Sequence, residues 1–366
     1  MISAKPSGVS ANASGSRVRC GGRGRCRPLR SLRSQTARAK TRPAGTASTP
    51  AFRIVALARL FAWAGVAAIA AIALVALTPD AAYAWTPGTH IFLGEALLKS
   101  LHLVPGNVAA LISAFPHDFL YGSIAADTSM AKKYALAGRH CHSWKVGMEI
   151  HERARNDPVR SFALGYLAHL AADSVAHNYF VPRQLTVTST TSAIGHSYWE
   201  SRFETHLGER FSGLAREVIL RDHEHSDAHL DRILSPTIFS TPTNRRIFRG
   251  MVRVADSDGW QRIFQMIQEN SRWDLREQES AAYMERSFNY IVDFLNHFDA
   301  SEVYALDPAG TSPLRQAKQI RRAALNKGGG EAKVEGAALK HFAMPETRLA
   351  YLSGGGGAIY ELAKGG

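Results

Sequence analysis

The apolar run over residues 159–180 constrains this chain most tightly. Within it, Phe162-Ala-Leu-Gly-Tyr-Leu-Ala-His-Leu-Ala-Ala-Asp-Ser-Val-Ala-His177 carries His169, Asp173 and His177 in otherwise core-like surroundings. Their spacing is i, i+4, i+8. Each four-residue step advances an α-helix by about 400°, so the three side chains drift about 40° per step and line one face. Ionisable groups on the face of a buried helix need partners, because desolvating them alone is costly. A metal ion meets that need, since neutral imidazole and carboxylate are good zinc ligands. A hydrogen-bonded His–Asp–His stripe is the other solution.

The rest of the chain offers further candidate ligands. His196-Ser-Tyr-Trp-Glu200 offers a second i, i+4 pair on a helical pattern, with Glu204 and His206 as nearby substitutes. Asp127 and His142 fall at the ends of short segments, where loops deliver ligands to a helical scaffold; Asp118 and His140 are their rivals. Cys141 lies between two histidines and reads as a small buried residue. Trp85-Thr-Pro-Gly-Thr-His90 offers a fourth element: a chain cut before Trp85 would free an α-amine able to chelate a metal beside the Trp85 carbonyl, with His90 a short turn away. Trp85 as the first aromatic of the core is the plainer alternative. His223, His225 and His229 read as a solvated helix face, with a secondary metal site as the alternative.

Composition separates a leader from this domain. The chain has 366 residues and a formal charge of +13. Residues 1–84 hold thirteen basic groups and one acid, so residues 85–366 carry 31 bases against 30 acids. All 15 histidines lie beyond residue 84. Residues 1–51 are basic, acid-free and too poor in apolar side chains to pack. They read as an upstream start or as a transit segment. Residues 52–84 place Arg53 and Arg59 before the uncharged apolar run Phe61–Leu77 and end on Ala82-Tyr83-Ala84. That order is a secretory signal cut before Trp85, with an anchor through residues 60–77 as the alternative. The expected location is therefore exported, secreted or periplasmic. Of the three cysteines only Cys141 lies beyond the leader, which excludes a disulfide-stapled scaffold.

From Trp85 onward apolar residues recur at helical steps in residues 91–103, 146–155, 159–180, 194–219, 245–267 and 281–298. The expected fold is all-α. Pro182 is expected to stop the longest helix, residues 185–191 to form a loop, and the polar stretch 185–193 to border the site, an ordinary connection being the alternative. The domain is expected over 85–325, with a flexible Gly-rich tail over 326–366.

Together these residues resemble the zinc-dependent phospholipase C family, its relatives the trinuclear-zinc nucleases of the S1/P1 type, and the catalytic domain of glycosylphosphatidylinositol-specific phospholipase D. The resemblance rests on Trp85, His90, Asp127, His142, His169, Asp173, His177, His196 and Glu200 in that order, and on Phe115-Pro-His-Asp-Phe-Leu-Tyr-Gly-Ser-Ile124. It covers about residues 85–210. It implies a compact multi-helix domain holding three Zn²⁺: one on Asp127, His142, His169 and Asp173; one on His177, His196 and Glu200; one on Trp85, His90 and a bridging Asp173. It also implies attack by a zinc-bound hydroxide in line on phosphorus, with Asp127 orienting the water or acting as base. The implied substrate is a phospholipid or another phosphodiester, met in transient contact with a membrane surface. A nuclease of the same architecture is the first rival. The short gap from Asp173 to His177, the lack of disulfides and the near-neutral domain disfavour it and nucleic-acid partners. A zinc-binding envelope protein without catalysis is the second.

Overall fold

Asn156, Asp157 and Pro158 explain where the central helix begins. The Asn156 side chain accepts a hydrogen bond from Val159 N at 3.0 Å, Asp157 faces the positive end of the helix dipole, and Pro158 fits the first turn without losing a needed donor. The structure, a computed structural model, describes residues 85–345 except 130–133, 137, 189–191, 256–261, 263, 264, 267, 268, 272 and 327–329. Residues 1–84, which hold the expected leader, signal and cleavage site, and residues 346–366 lie outside the described residues.

In chain order the helices are α1 (Pro87–Leu98), α2 (Gly106–Ala114), α3 (Pro116–Ala125), α4 (Trp144–Glu152), α5 (Asp157–Val175), α6 (Val181–Thr188), α7 (Ser192–Glu204), α8 (Glu209–Leu220), α9 (Glu224–Asp231), α10 (Thr241–Ala255), α11 (Glu277–His297), α12 (Thr311–Asn326) and α13 (Glu331–Phe342). Among the described residues there is no strand, as the helical periodicity predicts.

Helix α5 is buried all round from residue 161 to its end, as befits a helix apolar on every side. Helices α1, α3, α4 and α11 pack against it. The α3–α5 crossing is set by two glycines facing each other's backbone. A Cβ on Gly122 would stand 1.9 Å from Phe162 O, and one on Gly165 would stand 2.0 Å from Phe119 O. Only hydrogen at both positions lets the two backbones approach so closely. This contact brings the carbonyl of Ser123 onto His169.

Helix α1 is capped by Thr86, which accepts from Thr89 N, and carries Pro87 at its start. Glu204 of α7 reaches the same helix end. Its carboxylate accepts from Gly88 N–H and from the Thr86 and Ser212 hydroxyls, although burial pushes its pKa up. Trp85 is fully buried against Phe203 at 4.4 Å and Phe180 at 5.2 Å between ring centroids. Its indole N–H donates to Ala172 O at 3.0 Å, so the start of the domain is fastened beside Asp173.

The structure corrects three expectations. Pro182 does not stop the long helix. Residues Ala176–Phe180 form a π turn, closed by Val181 N–H on Ala176 O, and α6 continues from it through Pro182. The wider turn has already shifted the backbone register, so the missing proline N–H no longer ends the helix. Residues 185–188 are helical, not a loop: Thr186 and Thr188 donate their hydroxyls to the Pro182 and Gln184 carbonyls, satisfying polar side chains within the helix. Leu185 and Thr186 are buried beneath α12 and α13, and residues 189–191 of the expected loop lie outside the described residues. The periodic stretch 194–219 is two helices, parted at Gly208, whose φ of +83° few other residues adopt.

The C-terminal side extends further in order than composition implies. Helix α13 buries Val334, Ala338 and Phe342 and packs on α6 and α12. Of the tail expected over 326–366, residues 327–329 and 346–366 lie outside the described residues.

Candidate metal centre

Five side chains from four separate parts of the chain converge beside α5. His90 comes from α1, Asp127 from the 3-10 turn Ala126–Thr128, His142 from the loop before α4, and His169 and Asp173 from α5. All five are at most 2 % exposed. His142 Nε2 lies 2.9 Å from Asp173 Oδ2, 3.3 Å from Asp127 Oδ1 and 3.0 Å from His169 Nε2. His169 Nε2 lies 3.1 Å from Asp173 Oδ2, and His90 Nε2 lies 3.2 Å from Asp173 Oδ1. The His90 and His169 rings stack at 3.9 Å.

The proton positions follow from the partners. His169 Nδ1 lies 2.8 Å from the Ser123 carbonyl, which can only accept, so this nitrogen carries the hydrogen and Nε2 carries the lone pair. His90 Nε2 and both Asp173 oxygens make no hydrogen bond despite full burial. Burial, reinforced by His169, lowers the His90 pKa and favours the neutral ring. Burial opposes ionisation of Asp173, but His169, His142 and His90 together hold its pKa well below the usual carboxylate value. The cluster is thus rich in lone pairs and poor in protons.

That donor set fits zinc. Ligand atoms about 2.0–2.1 Å from a tetrahedral ion stand about 3.3 Å from one another. The separations above, 2.9–3.3 Å, lie at or just below that value. Donor atoms of His90, Asp127 and His169 lie within 4.8 Å of one another, and so do those of His142, His169 and Asp173. A direct pairing of His142 Nε2 with His169 Nε2 would leave too few protons for the surrounding acceptors, whereas a cation satisfies all of them.

A second group lies alongside. His196 Nε2 and Glu200 Oε1 of α7 are 2.9 Å apart, both residues buried. His177 stands edge-on to His196 at 5.3 Å and to His142 at 6.3 Å between ring centroids. It belongs to the π turn, so its direction departs from the simple helical stripe. Its Nδ1 donates to Pro308 O at 2.5 Å, which again leaves the lone pair on Nε2.

The rivals fall elsewhere or play supporting parts. Asp118, half-buried at the start of α3, has its pKa raised by burial and faces His223. Glu204 caps α1. His140 Nδ1 accepts from His142 N at 3.0 Å, and the Cys141 thiol lies buried 3.3 Å from His142 Nδ1; these three residues form another set within 4.8 Å.

His223 and His229 do not belong to a solvated face. Both are buried, donating Nε2–H to Val218 O near the end of α8 and to Ile150 O near the end of α4. They satisfy helix-end carbonyls, a use that i, i+4 spacing alone cannot reveal. Sequence reasoning also missed the Ser123 and Pro308 carbonyls, because any residue can present one.

No curated protein and no solved structure matches the chain. Residues 89–241, which include every expected ligand from His90 to Glu200, match the family model described as zinc-dependent phospholipase C.

Proposed function

We propose that this protein is an exported, zinc-dependent phosphodiester hydrolase of the phospholipase C type. The observation that carries the reading is the buried convergence of His90, Asp127, His142, His169 and Asp173 within the stretch that matches the family. In this reading Asp127, His142, His169 and Asp173 hold one zinc ion, His177, His196 and Glu200 a second, and His90, Asp173 and the freed Trp85 amine and carbonyl a third. The apolar run behind Arg53 and Arg59, with Ala82-Tyr83-Ala84 at its end, supports export and a cut before Trp85.

Zinc bound by these residues would supply Lewis acidity, lowering the pKa of water toward about 7 and offsetting charge on phosphate oxygens. The protein's own groups do the rest. Ser123 O fixes the His169 ring, and Pro308 O fixes that of His177, so neither must be ordered when substrate arrives. In this reading Asp127 orients a water or takes its proton. The burial of His90, Asp127, His142, His169 and Asp173 lowers the local dielectric and would strengthen attraction for an anionic phosphodiester. Residues 85–366, with 31 bases and 30 acids, can thus handle an anion without a basic surface.

The test is product release by zinc-loaded protein beginning at Trp85. Diacylglycerol release from mixed phospholipid vesicles, with no nucleotide release from single-stranded nucleic acid, is the expected result. The reverse would assign a nuclease. Full zinc occupancy with neither product would leave a binding protein and sink the enzymatic reading.

A further inference from the structure

Beyond the matched residues, the turn Asp307–Gly310 is built against His177. Pro308 O accepts the His177 Nδ1 hydrogen at 2.5 Å. Asn178 donates its side-chain amide to Asp307 O at 2.9 Å and to Ser174 O at 2.8 Å, tying the turn to the end of α5. Asp307 in turn shapes the loop: its carboxylate accepts from Ala309 N and from Thr311 N, both at 2.9 Å, and so fixes the start of α12. Gly310 closes the arrangement at a φ of +59°. A Cβ there would meet His177 Cβ at 2.5 Å and His177 O at 2.6 Å. Both the backbone conformation and the contact therefore demand glycine.

We infer that Asp307–Gly310 is a positioning clamp for His177, supplied by a segment outside the family match and needed to complete the site on His177, His196 and Glu200. The inference rests on the zinc reading proposed above. The clamp selects one tautomer and one ring direction. A carbonyl acceptor at Nδ1 leaves Nε2 as the nitrogen with the lone pair and raises its strength as a ligand. The tight Gly310 contact blocks the backbone shift that would break this bond.

Gly310→Ala is the direct test, with Gly208→Ala as its control. Gly208 also has positive φ, +83°, but a Cβ there meets nothing within 4 Å. Gly208→Ala also carries backbone strain, since a φ of +83° with a ψ of 163° is essentially reserved for glycine, but only Gly310→Ala pushes on His177. Two readouts are taken on full-length protein matured to Trp85: zinc content after dialysis, and the visible spectrum of the Co²⁺-substituted form. Gly310→Ala is expected to lose about one metal equivalent or bind it at least tenfold more weakly, with an altered Co²⁺ spectrum, while Gly208→Ala matches the unsubstituted protein. Asp307→Ala is expected to weaken the same equivalent, and Asp307→Asn, which keeps one acceptor oxygen, to restore part of it. A third readout needs no metal: imidazole ¹⁵N shifts of metal-free protein should report His177 protonated at Nδ1, and a mixture of tautomers in Gly310→Ala. Equal metal content and equal tautomer in the two glycine variants would overturn the clamp. Unsubstituted protein that binds no zinc but keeps the His177 tautomer would instead overturn the zinc reading and, with it, the clamp's role in metal binding.

Discussion

At the residue scale, Asp173 is the group on which the most depends. It is fully buried, and its two oxygens face His90 on one side and His142 and His169 on the other. No neutral substitute can serve both sides. Asp173→Asn should lose at least one zinc equivalent and nearly all activity, as measured by metal analysis and product release; unchanged zinc content would remove the bridging role. Protons compete for the same lone pairs. Burial lowers the His90 pKa in the folded chain from its ordinary 6.5. The stability this contributes is complete above about 6.5 and is lost as pH falls from there toward the folded value, because the unfolded chain takes up a proton the folded one resists. The unfolding free energy of metal-free protein should therefore fall between pH 7 and 5.5. Urea titration should show a shallower fall in His90→Gln.

At the element scale, two junctions place the ligands. The α3–α5 crossing puts Ser123 O on His169, so its glycines matter to the site as well as to packing. Gly165→Ala must push a methyl group against Phe119 O, a backbone atom that cannot rotate away. Overpacking of this kind costs about 1–3 kcal/mol, and contact with backbone places this variant near the upper end. Denaturant unfolding should show a lowered midpoint with unchanged slope, together with weakened zinc retention. The second junction is the start of α1. Thr86 and Glu204 hold the helix end while Trp85 anchors into α5 through Ala172 O. One extra residue retained before Trp85 leaves these contacts in place but blocks the α-amine. It should reduce activity and zinc content without lowering the urea midpoint of the metal-free protein, and equal activity of the two forms would take Trp85 out of the ligand set.

At the scale of the whole molecule, the metal reading couples binding to folding. Unpaired acceptors at the centre of the core make the metal-free state costly. Chelation should lower thermal stability by about 4 kcal/mol relative to protein in free zinc at roughly a thousand times Kd. A thermal scan that is the same with and without chelator would contradict this. The C-terminal helices belong to the same cooperative unit: α12 and α13 cover α6, and α12 begins at the turn that holds His177. A chain ended at residue 241 should therefore fail to retain the zinc assigned to His177, as metal analysis would show.

The residues of the centre were legible in the sequence because burial is legible. Histidines and carboxylates at helical spacing within apolar runs stand out, and the body of α5 follows from the apolar run over residues 159–180. The split of charge between leader and domain was equally plain, since it needs only counting. Other features depend on contacts between distant segments. The π turn that redirects His177, the helical hydroxyl bonds of Thr186 and Thr188, and the use of His223 and His229 at helix ends all follow from which backbone meets which. Carbonyl groups carry no sequence signature, so the Ser123 and Pro308 acceptors could not be read in advance. Side-chain chemistry, being local, was settled by the sequence; the direction in which each ring points was settled only when tertiary packing brought a particular carbonyl against it.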